Sequence, residues 1–141
     1  MQPSFLSLPD GRRLAYHLSE GQTSNAGPCV VFLGGFRSDM TGTKAMAIEA
    51  YCQRRGQRFL RFDYTGHGQA SGDFIHGTIG QWKRDVVDML DSVVKGPCVL
   101  VGSSMGGWLM LLAALARSKQ VVGMVGIASA PDKQEKTKKA A

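Results

Sequence analysis

Gly102 and Gly106 bracket Ser104 in the stretch VGSSMGGWLMLLAALA, where one short apolar run stops and a solid apolar block resumes a few residues later. Two segments that must both be buried are joined by small residues alone, so the chain has to bend sharply between them. The run before the bend predicts a strand from Cys98 to Gly102, and the block after it a helix from Met105 to about Ser118, apolar nearly all round and so buried on most sides. In such a bend the central residue takes a strained backbone conformation. A Cβ two positions to either side would strike the neighbouring strand or helix. Ser104 is thereby pushed out above the carboxyl edge of a sheet.

There its hydroxyl can reach a base while the first amides of the following helix face any negative charge that develops beside it. Gly102-Ser103-Ser104-Met105-Gly106 fits the pattern G-x-S-x-G in the strand–turn–helix context that the pattern requires. Ser104 is the candidate nucleophile and the Met105 amide the first candidate oxyanion donor. Ser103 is its neighbour, since counting from it puts no glycine at either flank. The second donor is expected from the loop after an adjacent strand, and Gly34-Gly35-Phe36 assigns it to the Phe36 amide.

Other readings fail on spacing. GHGQASG, residues 66–72, resembles a dinucleotide fingerprint, but its last glycine arrives one position late and no helix starts there. GFRSDMTGTK places Thr43 between the glycine and Lys44, which breaks the phosphate-loop spacing. Asp63 and His67 would make an acid–base pair; the favoured account has Asp63 tying down a loop through backbone amides and His67 as a turn residue. His17 falls in a hairpin and His76 in a polar loop, where each is structural or solvated. No cofactor or metal site is expected.

The net charge of +6 raises the question of nucleic acid, yet Lys133, Lys136, Lys138 and Lys139 cluster at the carboxyl end and the other cations form no stripe interleaved with aromatics. Nucleic acid is therefore not an expected partner. Trp108 to Ala116 is too short to span a bilayer, and no basic-then-apolar leader opens the sequence, so the expected location is the cytoplasm. Cys29, Cys52 and Cys98 lack C-x-x-C spacing and read as reduced, buried small hydrophobes.

Along the chain, Phe5 to Glu20 alternates around Pro9-Asp10-Gly11, the punctuation of an antiparallel hairpin. Cys29–Leu33 is a strand covered on both faces. Gly42–Arg55 is a helix with Ala45, Ile48, Tyr51 and Cys52 on one side, and Arg58–Tyr64 is the next strand. A helix opens at Thr78, with Gln81 at capping-box spacing and Trp82, Val86, Met89, Leu90 and Val93 on its apolar face. Val121–Ala128 is a last apolar strand. GPCVVFLGG and GPCVLVGSS share their punctuation, as two equivalent strands of one sheet would. The expected fold is α/β, a hairpin followed by parallel strands with helices on both faces.

With these elements assembled, FLGGFRSDMTGTKA, RFDYTGHGQASGDF, GTIGQWKRDVVDMLD and VGSSMGGWLMLLAALAR resemble the amino-terminal half of an α/β-hydrolase, over roughly residues 3–132. The resemblance is closest to the palmitoyl-protein thioesterase and esterase branch, which has mitochondrial and bacterial members. It implies Ser104 as nucleophile, the Phe36 and Met105 amides as oxyanion hole, and small-molecule or lipidated-protein thioesters and carboxylic esters as substrates. It also raises the mitochondrion as the alternative location. In this fold the triad acid and histidine follow the serine in chain order. Past Ser104 there is no histidine, and the only acids are Asp132 and Glu135. The expectation is a truncated hydrolase domain over residues 1–130 and a lysine-rich disordered tail over 131–141, with impaired catalysis. The alternative is a non-catalytic remnant that binds acyl groups, or a partner or second copy, through an open sheet edge at Val121–Ala128.

Overall fold

A computed structural model of the chain describes residues 2–21 and 27–127. The tail expected over 131–141, with Asp132 and Glu135, lies outside the described residues, as does Ala128. Strands β1 (Ser4–Ser7) and β2 (Arg13–Ser19) form the hairpin; then come β3 (Cys29–Leu33), α1 (Thr43–Arg54), β4 (Phe59–Phe62), α2 (Ile79–Met89), β5 (Cys98–Ser103), α3 (Met105–Ala116) and β6 (Val121–Ile127). They build one sheet in the order β1-β2-β4-β3-β5-β6, antiparallel at the hairpin side and parallel from β4 to β6. The two Gly-Pro-Cys segments are adjacent parallel strands in register, with Cys29 opposite Cys98 and Leu33 opposite Gly102.

Helices lie on both faces, as expected. Val31, Leu33, Leu60 and Leu100 face α2 and α3 in the larger core, with Trp82, Val86, Leu109 and Met110. Phe32, Phe59 and Val101 face α1 through Ala45 and Cys52. Thr78 caps α2 by accepting from the Gln81 amide at 3.1 Å, and a single π turn, Leu90–Val94, ends that helical stretch before Gly96-Pro97. At the hairpin turn, Arg12 donates to Asp10, Asp85 and Asp88 and so ties the turn to α2. All three cysteines are buried and unbridged.

Two expectations are corrected. The helix α3 is not buried on most sides: Trp108, Leu111 and Leu115 are 60%, 51% and 82% exposed. Only its inner side packs on the sheet and α2, and among the described residues nothing covers the outer side. In α1, Tyr51 faces out and Glu49 faces in. The cause lies on β4, where buried Arg61 donates from Nε to Glu49 Oε2 at 2.8 Å and from a terminal nitrogen to the Met40 carbonyl at 3.0 Å. The ion pair draws a carboxylate into the layer that periodicity had assigned to an aromatic.

The sheet order also marks a location. From β3 the chain crosses by α1 to β4 on one side; from β5 it crosses by α3 to β6 on the other. Opposite departures leave a crevice beyond the carboxyl ends of β3 and β5, the usual ligand position in open α/β sheets.

Candidate active site

Ser104 stands at that crevice. Its φ of 59° and ψ of −123° are the angles of the first central residue of a type II′ turn, a position that ordinarily takes glycine. The side chain is exposed and makes no capping bond to α3, whereas Ser103 is buried in β5. The flanking glycines are sterically required, as expected. A Cβ on Gly102 would fall 2.5 Å from the Gly106 carbonyl oxygen, and one on Gly106 would overlap the Leu33 carbonyl. The first turn of α3 therefore sits directly on the end of β3.

Opposite Ser104 runs the loop after β3. A Cβ on Gly35 would lie 3.2 Å from Ser104 Cβ, which shows how closely the two backbones approach. Ser104 and this loop border an open cavity of about 450 Å³ that also reaches Phe32, Asp39, Thr43 and Lys44. Lys44 and Thr43 come from the start of α1, and no sequence signal singled them out as lining residues.

The loop is anchored by the segment after β4. Asp63 accepts from the Met40 amide at 2.8 Å and the Gln69 amide at 2.9 Å, the backbone-tying role expected of it. Burial pushes its carboxyl above the ordinary value, and those two amides pull it back in part. The Tyr64 hydroxyl donates to the Gly34 carbonyl at 2.9 Å; burial raises this phenol too. His67 does occupy a turn but is buried, packed against Tyr64, Phe74 and Trp82. Its Nδ1 lies 3.1 Å from the Thr65 carbonyl, and its Nε2 accepts from the Arg37 amide at 3.2 Å. Both ring nitrogens are thus engaged within the loops. His17 lies in β2 and His76 is exposed beside Asp73.

Residues 25–141 match the family described as serine aminopeptidase, S33. The chain belongs to this family of α/β-hydrolases. The hydrolase chain is 46% identical to the mitochondrial palmitoyl-protein thioesterase ABHD10 of Bos taurus over 129 residues, which is 92% of this chain and 41% of the bovine protein. It is 35% identical over 120 residues to the sn-1-specific diacylglycerol lipase ABHD11 of Mus musculus, covering 84% of this chain and 37% of that protein. The structure of mouse alpha/beta hydrolase domain-containing protein 10 superposes with a TM-score of 0.85 at 42% identity, over 100% of this chain and 55% of the mouse chain. A putative hydrolase from Agrobacterium vitis S4 gives a TM-score of 0.81 at 32% identity, over 99% of this chain and 60% of that one. The hydrolase chain thus spans about two-fifths of the length of the curated relatives that it matches. No helix among the described residues is long and apolar enough to cross a membrane.

Proposed function

We propose that the chain carries the nucleophile and oxyanion half of a serine hydrolase that cleaves acyl thioesters or carboxylic esters, of small molecules or of lipidated proteins. The observation that carries this reading is Ser104: an exposed serine in a glycine-type conformation, at a bend whose flanks admit no side chain, facing a cavity at the sheet's switch point. Ser104 Oγ attacks the acyl carbon, its proton passes to water, and the carbonyl π electrons move onto oxygen. The Phe36 and Met105 amides hold that oxyanion. Collapse expels the thiolate or alkoxide, which takes up a proton, and water then releases the acid from the acyl-serine.

No histidine follows Ser104 in these 141 residues, and we infer that its proton acceptor does not come from this segment. Removing the base from a serine triad costs on the order of a millionfold in turnover and leaves about 10³ over water. Turnover by this polypeptide alone is therefore expected to be slow. The mitochondrial label of the mammalian relatives favours that compartment over the cytoplasmic expectation.

A fluorophosphonate probe tests the reading, because its electrophilic phosphorus captures the Ser104 oxygen at the oxyanion amides, slowly where no base assists, and needs no turnover. Covalent labelling at Ser104, lost in Ser104→Ala, is the expected result; no labelling of a chain with a folded circular-dichroism spectrum would overturn it. The exposed Val122, Met124 and Val125 on the edge strand β6 favour a second reading, a non-catalytic unit that pairs through this edge. Sedimentation that shows concentration-dependent association without labelling would support it.

A further inference from the structure

The buried ring of His67 is left over by the proposed chemistry, and its surroundings say what it does. Three consecutive peptide planes of the loop after β3 are each held by a separate hydrogen bond. The Gly34 carbonyl accepts from the Tyr64 hydroxyl at 2.9 Å. The Gly35 carbonyl accepts from the Ser38 hydroxyl at 2.9 Å and the Ser38 amide at 3.2 Å. The Arg37 amide donates to His67 Nε2 at 3.2 Å. In a trans peptide the N–H points opposite the C=O of the same plane, so the plane fixed at the Gly35 carbonyl is the one that aims the Phe36 N–H.

Of these holds, the one at Arg37 bears against strain. Arg37 has a φ of 63°, a conformation that non-glycine residues adopt only when their surroundings impose it. The Arg37 amide needs an acceptor that stays in place, and the site provides a rigid one. The Thr65 carbonyl can only accept, so the proton sits on Nδ1 and the Nε2 lone pair is directed at Arg37. Thr65 is itself held, since its carbonyl also accepts from Trp82 Nε1 at 2.9 Å. The His67 ring is wedged between Tyr64, Phe74 and Trp82 at centroid distances of 5.4, 5.2 and 5.1 Å. Phe36 rests on the same group, 4.9 Å from the Phe74 ring.

We propose that His67 is a positioning residue of the oxyanion hole: as the Nδ1–H tautomer it accepts from the Arg37 amide, locks the peptide plane that follows Phe36, and so, together with the hold at the Gly35 carbonyl, keeps Phe36 where its N–H can meet the acyl oxygen at Ser104. This rests on the hydrolase reading above. It assigns the histidine of GHGQASG neither to proton transfer nor to a bare turn, but to an acceptor for which few other side chains have the shape.

The test uses the whole chain with His67→Gln, whose amide oxygen can occupy the place of Nε2, and His67→Leu, which fills the space without an acceptor. In the parent chain, long-range nitrogen–proton NMR of the ring is expected to show the proton on Nδ1. In His67→Leu the fluorophosphonate rate at Ser104 is expected to fall by about tenfold or more, and His67→Gln to recover to within about threefold of the parent. The Phe36 and Arg37 amide resonances should move in the leucine variant and return in the glutamine variant. A merely space-filling ring would predict the reverse order, with leucine the milder change. Should the leucine chain fail to fold, the parent tautomer and the glutamine variant still decide. Labelling with the proton on Nε2, or a glutamine variant no better than leucine, overturns this proposal alone. Absence of labelling in the parent overturns the Ser104 reading, and the positioning role of His67 with it.

Discussion

Ser104 holds a conformation that its own chemistry disfavours. At φ 59° and ψ −123° a Cβ crowds the backbone, at a cost of about 1–3 kcal/mol, and glycine removes that cost. Ser104→Gly is therefore expected to raise the urea midpoint, by an amount equivalent to about 1 kcal/mol after the entropy of glycine in the unfolded chain is offset. The same variant loses the probe-reactive hydroxyl. An unchanged or lowered midpoint would mean that the bend stores no strain at this residue. Much of the site at this scale was legible beforehand, because the constraint is local: Gly102, Ser104 and Gly106 lie within one turn of chain, and sterics among near neighbours require little knowledge of the fold. Asp63 was legible too, as an acid followed by a glycine-rich turn with amides to satisfy. His67 was only half legible. Its turn could be read, but its acceptor role depends on Arg37, thirty residues earlier in the chain.

Among the elements, α1 shows where periodicity misleads. The apolar spacing of Ala45, Ile48, Tyr51 and Cys52 suggested one inward face, yet Glu49 takes an inward place because Arg61 on β4 needs a counter-ion away from water. Removing one partner of such a pair strands the other, which typically costs about 3–5 kcal/mol, whereas replacing both with apolar residues of similar volume is often close to neutral. Glu49→Ala should lower stability by roughly 3 kcal/mol, and Glu49→Leu with Arg61→Met should recover most of that in a denaturant titration. Because Arg61 also donates to the Met40 carbonyl, the single variant should loosen the start of the cavity wall as well. The helix α3 erred in the other direction. Its apolar residues around the whole circumference implied burial, but a helix can be apolar on a side that none of the described residues covers.

At the scale of the molecule, the buried thiols link stability to pH. Burial raises Cys29 to about 12 and Cys98 to about 11, where a solvated thiol titrates near 8.5. A pKa raised in the folded state means that the native chain keeps a proton that the unfolded chain has released. Stability from these groups is complete below the unfolded value and is lost as pH climbs toward the folded one. Unfolding free energy should therefore fall from about pH 8.5 to about 11 for Cys98 and about 12 for Cys29, by up to about 1.4 kcal/mol per pH unit for each thiol. Urea midpoints across that range would measure it, and Cys29→Ala should flatten the slope. Tyr64, also raised by burial, adds a decline above pH 10 that the cysteine variant leaves in place.

The amino-acid sequence by itself determined the strand–bend–helix around Ser104, the alternation of strands and helices, and the equivalence of the two Gly-Pro-Cys strands. Those features rest on sterics and apolar spacing within a few residues of chain. Only the tertiary structure decided which polar groups meet: Arg61 with Glu49, Tyr64 with Gly34, His67 with Arg37. Each pair joins segments that become neighbours through the sheet order β4-β3-β5 and the loops at its carboxyl end. No local pattern encodes the distance between them.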